Sequence, residues 1–310
     1  MSMNQSVLIC DQVNPVLNEI LEKNGLQITY EPEITPEQIQ DKIENFDVVI
    51  VRSRTKITKD MIDKATKCQI IARVGVGLDN IDQAAAKEKN IRVINAVEGA
   101  MNAVAELVIG LMLSLAREIP RADREVRNGN WIKKELMGTE LRGKYLGIVG
   151  LGNIGKRLGR LARALNMNII GYDVVPIDEE FSKEVGLMKA DLGTLLASSD
   201  YVSLHVPLLD STKHLINAEK MSTMKNTSRI INTSRGGVID ENALYEFLKD
   251  GKLGGAALDV FEVEPATSNN LATLPNFIST PHMGAQTKEA QSLAANVIAE
   301  KIIQILRGVT

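Results

Sequence analysis

Gly150-Leu151-Gly152-Asn153-Ile154-Gly155 stands between an apolar run, Leu146–Gly150, and a stretch mixing basic and apolar residues. A GxGxxG is weak evidence in isolation, but at a strand-to-helix junction it dictates the local chain path. Gly150 permits a tight turn, Gly152 lets the backbone approach a pyrophosphate, and Gly155 lets the helix pack on the sheet. Asn153 and Ile154 open that helix, whose N-terminus offers free N–H groups and a partial positive charge to an anion. The next apolar run, Asn168–Asp173, ends in Gly171-Tyr172-Asp173. An acid at this distance accepts hydrogen bonds from adenine ribose hydroxyls. No Lys or Arg follows in Val174-Val175-Pro176, so the expected cofactor is NAD rather than NADP. The rival reading, a glycine turn with no ligand, is disfavoured by this context.

The chain around the motif reads as two α/β units. In the first hundred residues, strands are expected at Ser6–Cys10, Leu26–Tyr30, Val48–Val51, Ile70–Val74 and Arg92–Asn95. Helices start at Asn14-Pro15, Thr35-Pro36 and Thr58 by cap logic. An apolar helix, Ala103–Ala116, and a polar segment, Pro120–Lys144, lead into the second unit. Its strands are read at Leu146–Gly150, Asn168–Asp173, Tyr201–Leu204, Arg229–Asn232, Ala256–Asp259 and Phe277–Ser279. The last helix, Lys288–Arg307, has no strand after it and is expected to pack back on the first unit. Gly75-Val76-Gly77-Leu78-Asp79-Asn80 lacks a third glycine and suits a loop that presents N–H groups to a small anion.

A net charge of -3 argues against a general nucleic-acid binder. With 44% hydrophobic and 24% charged residues, the composition is that of a globular chain with a real core. Cys10 and Cys68 border apolar runs and read as reduced thiols, consistent with a cytoplasmic setting. No signal peptide is visible. Ala103–Ala116, interrupted by Glu106, is too short to span a bilayer and reads as a buried helix. No metal and no membrane or nucleic-acid partner is expected.

Hydride exchange at a hydroxylated carbon requires a group that moves the hydroxyl proton and a cation that holds a substrate carboxylate. Of three histidines, His205 follows a strand, His214 sits in a polar loop, and His282 lies in Pro281-His282-Met283-Gly284 at a strand terminus. His282 is the best placed. Arg235, in Asn232-Thr233-Ser234-Arg235-Gly236-Gly237, either forks onto a carboxylate or is an ordinary loop arginine. Glu264 either supports the His282 imidazolium or is a solvated loop acid. Asp259 ends its strand and is a candidate to hold a nicotinamide carboxamide.

Together with Val51-Arg52-Ser53-Arg54-Thr55, Gly75–Asn80, the Asn232–Asp240 run and Asp259–Pro265, these motifs resemble the D-2-hydroxyacid dehydrogenases over nearly the whole chain. The resemblance implies an α/β fold of two doubly wound domains. One is a Rossmann NAD-binding domain at 99–283; the other is a flavodoxin-like, discontinuous substrate domain at 1–98 and 284–310. It makes Arg235, Glu264 and His282 the catalytic set. It also implies cofactor contacts from Tyr172, His205, Pro207, Thr212, Thr233, Ser234, Arg235, His282 and Gly284. Trp131, Met137-Gly138-Thr139-Glu140-Leu141 and Thr287-Lys288-Glu289-Ala290 resemble the phosphoglycerate dehydrogenase branch. That implies a phosphorylated 2-hydroxy acid as small-molecule substrate, its phosphate met by Arg52 or Arg54, with contacts from Arg52, Ser53, Val74, Gly75 and Asn102 as well as Arg235 and His282. It further implies a homodimer through the NAD-binding domains, with Lys133 or Lys134 reaching the neighbour's substrate phosphate. The alternatives are a glyoxylate or hydroxypyruvate reductase, or, more distantly, a non-enzymatic NAD-sensing corepressor. Many phosphoglycerate dehydrogenases continue into a serine-sensing domain, which is expected to be missing after Thr310.

Overall fold

A computed structural model describes residues 4–308. In chain order the elements begin β1 (Ser6–Ile9), α1 (Val16–Lys23), β2 (Gln27–Tyr30), α2 (Pro36–Lys42), β3 (Val48–Val51), α3 (Lys59–Lys64), β4 (Ile70–Arg73), α4 (Gln83–Glu88) and β5 (Arg92–Asn95). Next come α5 (Val97–Arg117), α6 (Ile119–Arg127), β6 (Tyr145–Val149), α7 (Asn153–Ala164), β7 (Asn168–Tyr172), α8 (Glu179–Val185), β8 (Met188–Lys189), α9 (Leu192–Ser198) and β9 (Tyr201–Leu204). The rest are α10 (Ala218–Ser222), β10 (Arg229–Asn232), α11 (Glu241–Lys249), β11 (Gly255–Leu258), β12 (Phe277–Ser279) and α12 (Lys288–Leu306). Two compact units emerge. One holds the described residues up to Met101 and from Ala285 onward; the other is Asn102–Gly284.

The first unit carries a parallel sheet in the order β2-β1-β3-β4-β5, the flavodoxin-type arrangement. Its central strand β3, Val48–Val51, is buried along its whole length, because helices cover both faces. Val7, Val48, Ile50 and Ile70 meet α1 and α12 on one side. Leu8, Val49, Val51 and Ile71 meet Ile39, Ile62 and Ala85 on the other. Thr35 opens α2 with a capping box to Gln38. Thr58 does precede α3, but its hydroxyl makes no cap bond. Asn14 accepts the Val16 N–H, so α1 begins one residue later than read.

The second unit has seven parallel strands in the order β12-β11-β10-β9-β6-β7-β8, the Rossmann arrangement extended by β12. Leu146, Ile148 and Ile169 pack on Leu158, Ala162 and Phe181 on one face. Val149, Val202 and Ile230 pack on Leu195, Met221 and Leu244 on the other. The short strand β8 and helix α6 were not foreseen; α6 lies within the segment read as polar. Helix α5 is also longer than expected. At 21 residues it is long and apolar enough to cross a membrane by length and composition, and 56% of its most apolar window is buried in the protein. Ala105, Val108, Met112 and Leu115 of α5 belong to the core. Trp131, between α6 and β6, is 82% exposed.

Candidate active site

Because the strands of the second unit are parallel, their carboxyl ends share one edge, where ligands bind in such sheets. Every cofactor and catalytic candidate of this unit lies at or beyond one of those ends. After β6, Gly150 takes φ +94°, and a Cβ there would press on the His205 carbonyl. A Cβ on Gly155 would overlap the Gly150 carbonyl, so α7 starts directly against the turn. Gly152 caps α7 without a side-chain bond, and nothing lies within 4 Å of where its Cβ would stand. The first-turn N–H groups of α7, with exposed Asn153 and half-buried Ile154, therefore lack a side-chain partner. Asp173 accepts the Leu151 N–H at 2.6 Å and the Val175 N–H at 3.1 Å, which ties the acid to the glycine turn. Tyr172 precedes it, half-buried.

After β9, His205 bonds the Ser203 hydroxyl at 2.9 Å, and burial pushes its imidazole down to about 4. Thr212 donates to the Pro207 carbonyl at 2.6 Å, which closes the loop of exposed Leu208 and Leu209. After β10, the buried Thr233 hydroxyl has no hydrogen-bond partner among the described residues. An orphaned buried hydroxyl and an uncapped helix start facing open space are what a dinucleotide would satisfy. These residues fit NAD.

The Arg235 turn is shaped by Asn232, which accepts from the Ser234 N–H and hydroxyl and donates to the Arg235 carbonyl at 2.8 Å. Arg235 itself donates to the Ser234 carbonyl at 2.6 Å. A Cβ on Gly236 would overlap the Phe261 carbonyl, so this turn and the loop after β11 touch backbone to backbone. That loop carries Glu264. One of its oxygens accepts the Phe261 N–H at 3.1 Å; the other lies 2.8 Å from His282 Nδ1. The pair is half-exposed, at 50% for His282 and 37% for Glu264. His282 holds φ +53°, a left-handed backbone that costs energy in a non-glycine residue. Asp259, 1% exposed, sustains it: the carboxylate accepts from the Thr280 hydroxyl and the Met283 and Gly284 N–H groups at 2.6–2.8 Å. Beside the pair is a mainly apolar cavity of about 540 Å³ lined by Phe261, Pro265, Thr280 and Pro281.

The sequence reading missed a clasp that braces this loop. Glu262 accepts the Glu241 N–H and meets His214 Nε2 at 3.1 Å, while Glu241 accepts the Glu262 N–H and the Asn269 amide. Burial and the nearby Glu262 and Glu264 charges raise the Glu241 carboxyl; hydrogen bonds from Glu262 and Asn269 oppose this. Only the short polar spacing of Asp240-Glu241 hinted at it.

The remaining residues expected to touch substrate are divided between the units. Arg52 and Ser53 follow β3, and Val74 and Gly75 follow β4. Ser53 is exposed, Val74 buried. Arg73 donates to the Gly77 carbonyl and Asn95 to Val76, which shapes the glycine-rich loop. Asn102, Lys133 and Lys134, in the second unit, are exposed.

Residues 109–284 match the D-isomer specific 2-hydroxyacid dehydrogenase, NAD binding domain family. A D-3-phosphoglycerate dehydrogenase of Methanocaldococcus jannaschii is 46% identical over 97% of this chain, which spans only 57% of that protein's length. A hydroxypyruvate reductase of Thermotoga maritima is 46% identical over 93% of both chains. The solved glyoxylate reductase of Paecilomyes thermophila superposes with a TM-score of 0.90 at 29% identity, covering 98% of this chain and 95% of that one. With its motifs, two parallel sheets and matched NAD-binding unit, the chain belongs to the D-isomer specific 2-hydroxyacid dehydrogenases.

Proposed function

We propose that this dehydrogenase interconverts 3-phospho-D-glycerate and 3-phosphohydroxypyruvate, the first step of the phosphorylated route to serine. The observation that carries the reading is the guanidinium of Arg52. Among the described residues it bonds one neutral side chain, Gln286, and its charge is available to an anion. Burial lowers its proton affinity, but the nearby Asp11 opposes this, and an arginine stays charged at any physiological pH.

Gly150–Gly155, Asp173 and Thr233 would hold NAD, which would supply the hydride acceptor for the substrate carbon. Asp259 has three of roughly four acceptor positions filled, and the last one suits a carboxamide N–H. Arg235 holds the substrate carboxylate with two parallel bonds. The backbone near Gly75 meets the same carboxylate, Arg52 receives the phosphate, and Ser53 and Val74 are further substrate contacts. Glu264 fixes the His282 tautomer through Nδ1, so Nε2 takes the hydroxyl proton, and the carboxylate offsets the imidazolium charge. Asn102 is assigned to the substrate. The working form is a cytoplasmic homodimer built by the NAD-binding units, with Lys133 or Lys134 extending toward the neighbour's phosphate.

Identity of 46% to a hydroxypyruvate reductase favours a second reading, reduction of the unphosphorylated acid. Initial rates of NADH oxidation with 3-phosphohydroxypyruvate, hydroxypyruvate and glyoxylate at equal low concentration separate the two. A large preference for the phosphorylated acid is expected. A flat response, or preference for hydroxypyruvate, removes the phosphoglycerate assignment.

A further inference from the structure

The two arginines that flank Ser53 are held in opposite ways. The Arg54 guanidinium lies 3.1 Å from the Asp11 carboxylate and donates to the carbonyl oxygens of Cys10, Pro32 and Ile34. Its charge is matched and its N–H groups are engaged, which makes it a structural residue. Asp11 is 2% exposed and also accepts the N–H groups of Arg52 and Thr55 and the Thr55 hydroxyl. On the other side, the Asn80 amide donates to the carbonyls of Arg52 and Thr55, at 2.9 and 2.6 Å. The backbone from Arg52 to Thr55 is therefore stapled through both its N–H and its C=O groups.

The Arg52 side chain is handled differently. Its Nη2 donates to Oε1 of Gln286 at 3.1 Å. An amide oxygen orients a guanidinium without cancelling its charge, whereas a carboxylate would do both. A guanidinium has five donors, so one bond to Gln286 leaves the rest of the fork for an anion.

We propose that Gln286 is a specificity-determining residue acting through Arg52: its neutral amide sets the guanidinium in the orientation that receives the phosphate of a phosphorylated 2-hydroxy acid. This rests on the assignment of Arg52 as the phosphate ligand. Gln286 is exposed, so its replacement does not threaten the fold.

The test is steady-state kinetics of the full chain and of Arg52→Ala, Gln286→Ala, Gln286→Glu and the Arg52→Ala/Gln286→Ala double variant. Each is assayed with 3-phosphohydroxypyruvate and with hydroxypyruvate. Gln286→Ala should raise KM for the phosphorylated acid about tenfold while kcat holds, the signature of lost binding rather than lost chemistry. Gln286→Glu should raise it further, because it neutralises Arg52. The double variant should be no worse than Arg52→Ala alone, since Gln286 then has nothing to orient. Additive losses, or an unchanged KM in Gln286→Ala, overturn the proposal. A wild-type enzyme without preference for the phosphorylated acid overturns the phosphoglycerate assignment instead. The coupling is then read on KM of the preferred acid, and additivity there sinks the Gln286 proposal as well.

Discussion

A histidine that exchanges a proton on one ring nitrogen needs the other one fixed, and the Glu264 carboxylate lies 2.8 Å from Nδ1 of His282, the proposed base. Replacing His282 by Ala should lower kcat by roughly 10³-fold, the usual range for a general acid–base group, while NADH binding by fluorescence titration stays intact. Glu264→Gln keeps the shape and loses the charge, so a smaller drop of about 10–100-fold is expected. Normal turnover in His282→Ala would remove it as the base. His205 plays a different part. It keeps some surface exposed, yet burial holds its imidazole near 4 instead of 6.5. Between those values the unfolded chain binds the proton and the folded one does not, so stability falls as pH drops from about 6.5 toward 4. The loss from this one residue is at most about 3 kcal/mol, and residual solvation reduces it. Urea midpoints at pH 7 and pH 5 should diverge less in His205→Gln than in the wild type; an equal gap would clear His205 of the effect.

At the scale of elements, the fold brings the arginine turn and the acid loop into register through one glycine. Gly236→Ala inserts a methyl into the Phe261 carbonyl and must part the two segments. A shift of this kind near the chemistry costs on the order of 10²-fold in kcat. The expected result is that loss, with NAD affinity much less affected; full activity would show that the contact relaxes freely. Strand Val48–Val51 was legible from sequence to the residue, because a central strand buried on both faces is a short unbroken apolar run. Helix α6 was not: Ile119, Ala122 and Val126 fall at helical spacing, but the stretch around them is charged and none of its residues is buried. Arg235, Glu264 and His282, proposed as the catalytic set, stand out in the sequence because each lies in the loop that follows a strand end. Asp11 and Gln286 do not, because their bonds to Arg52 join residues 41 and 234 positions apart, and no local pattern encodes such a pairing.

The whole molecule divides its core between two units, each with apolar layers on both faces of its own sheet. Cys10 and Cys68 sit in one layer of the first unit, and burial pushes both thiols up to about 12. Neither thiol should react with an aromatic disulfide at neutral pH in the native protein, and both should react once that unit opens. Rapid labelling of the native chain would contradict this packing. The lone tryptophan offers a complementary signal. Trp131 stands 82% exposed outside every core layer, so its emission is largely indifferent to internal packing and responds to whatever covers that surface. The chain thus carries its own optical gauge of that surface: a blue shift on concentration, reversed on dilution, would support the proposed homodimer without any label.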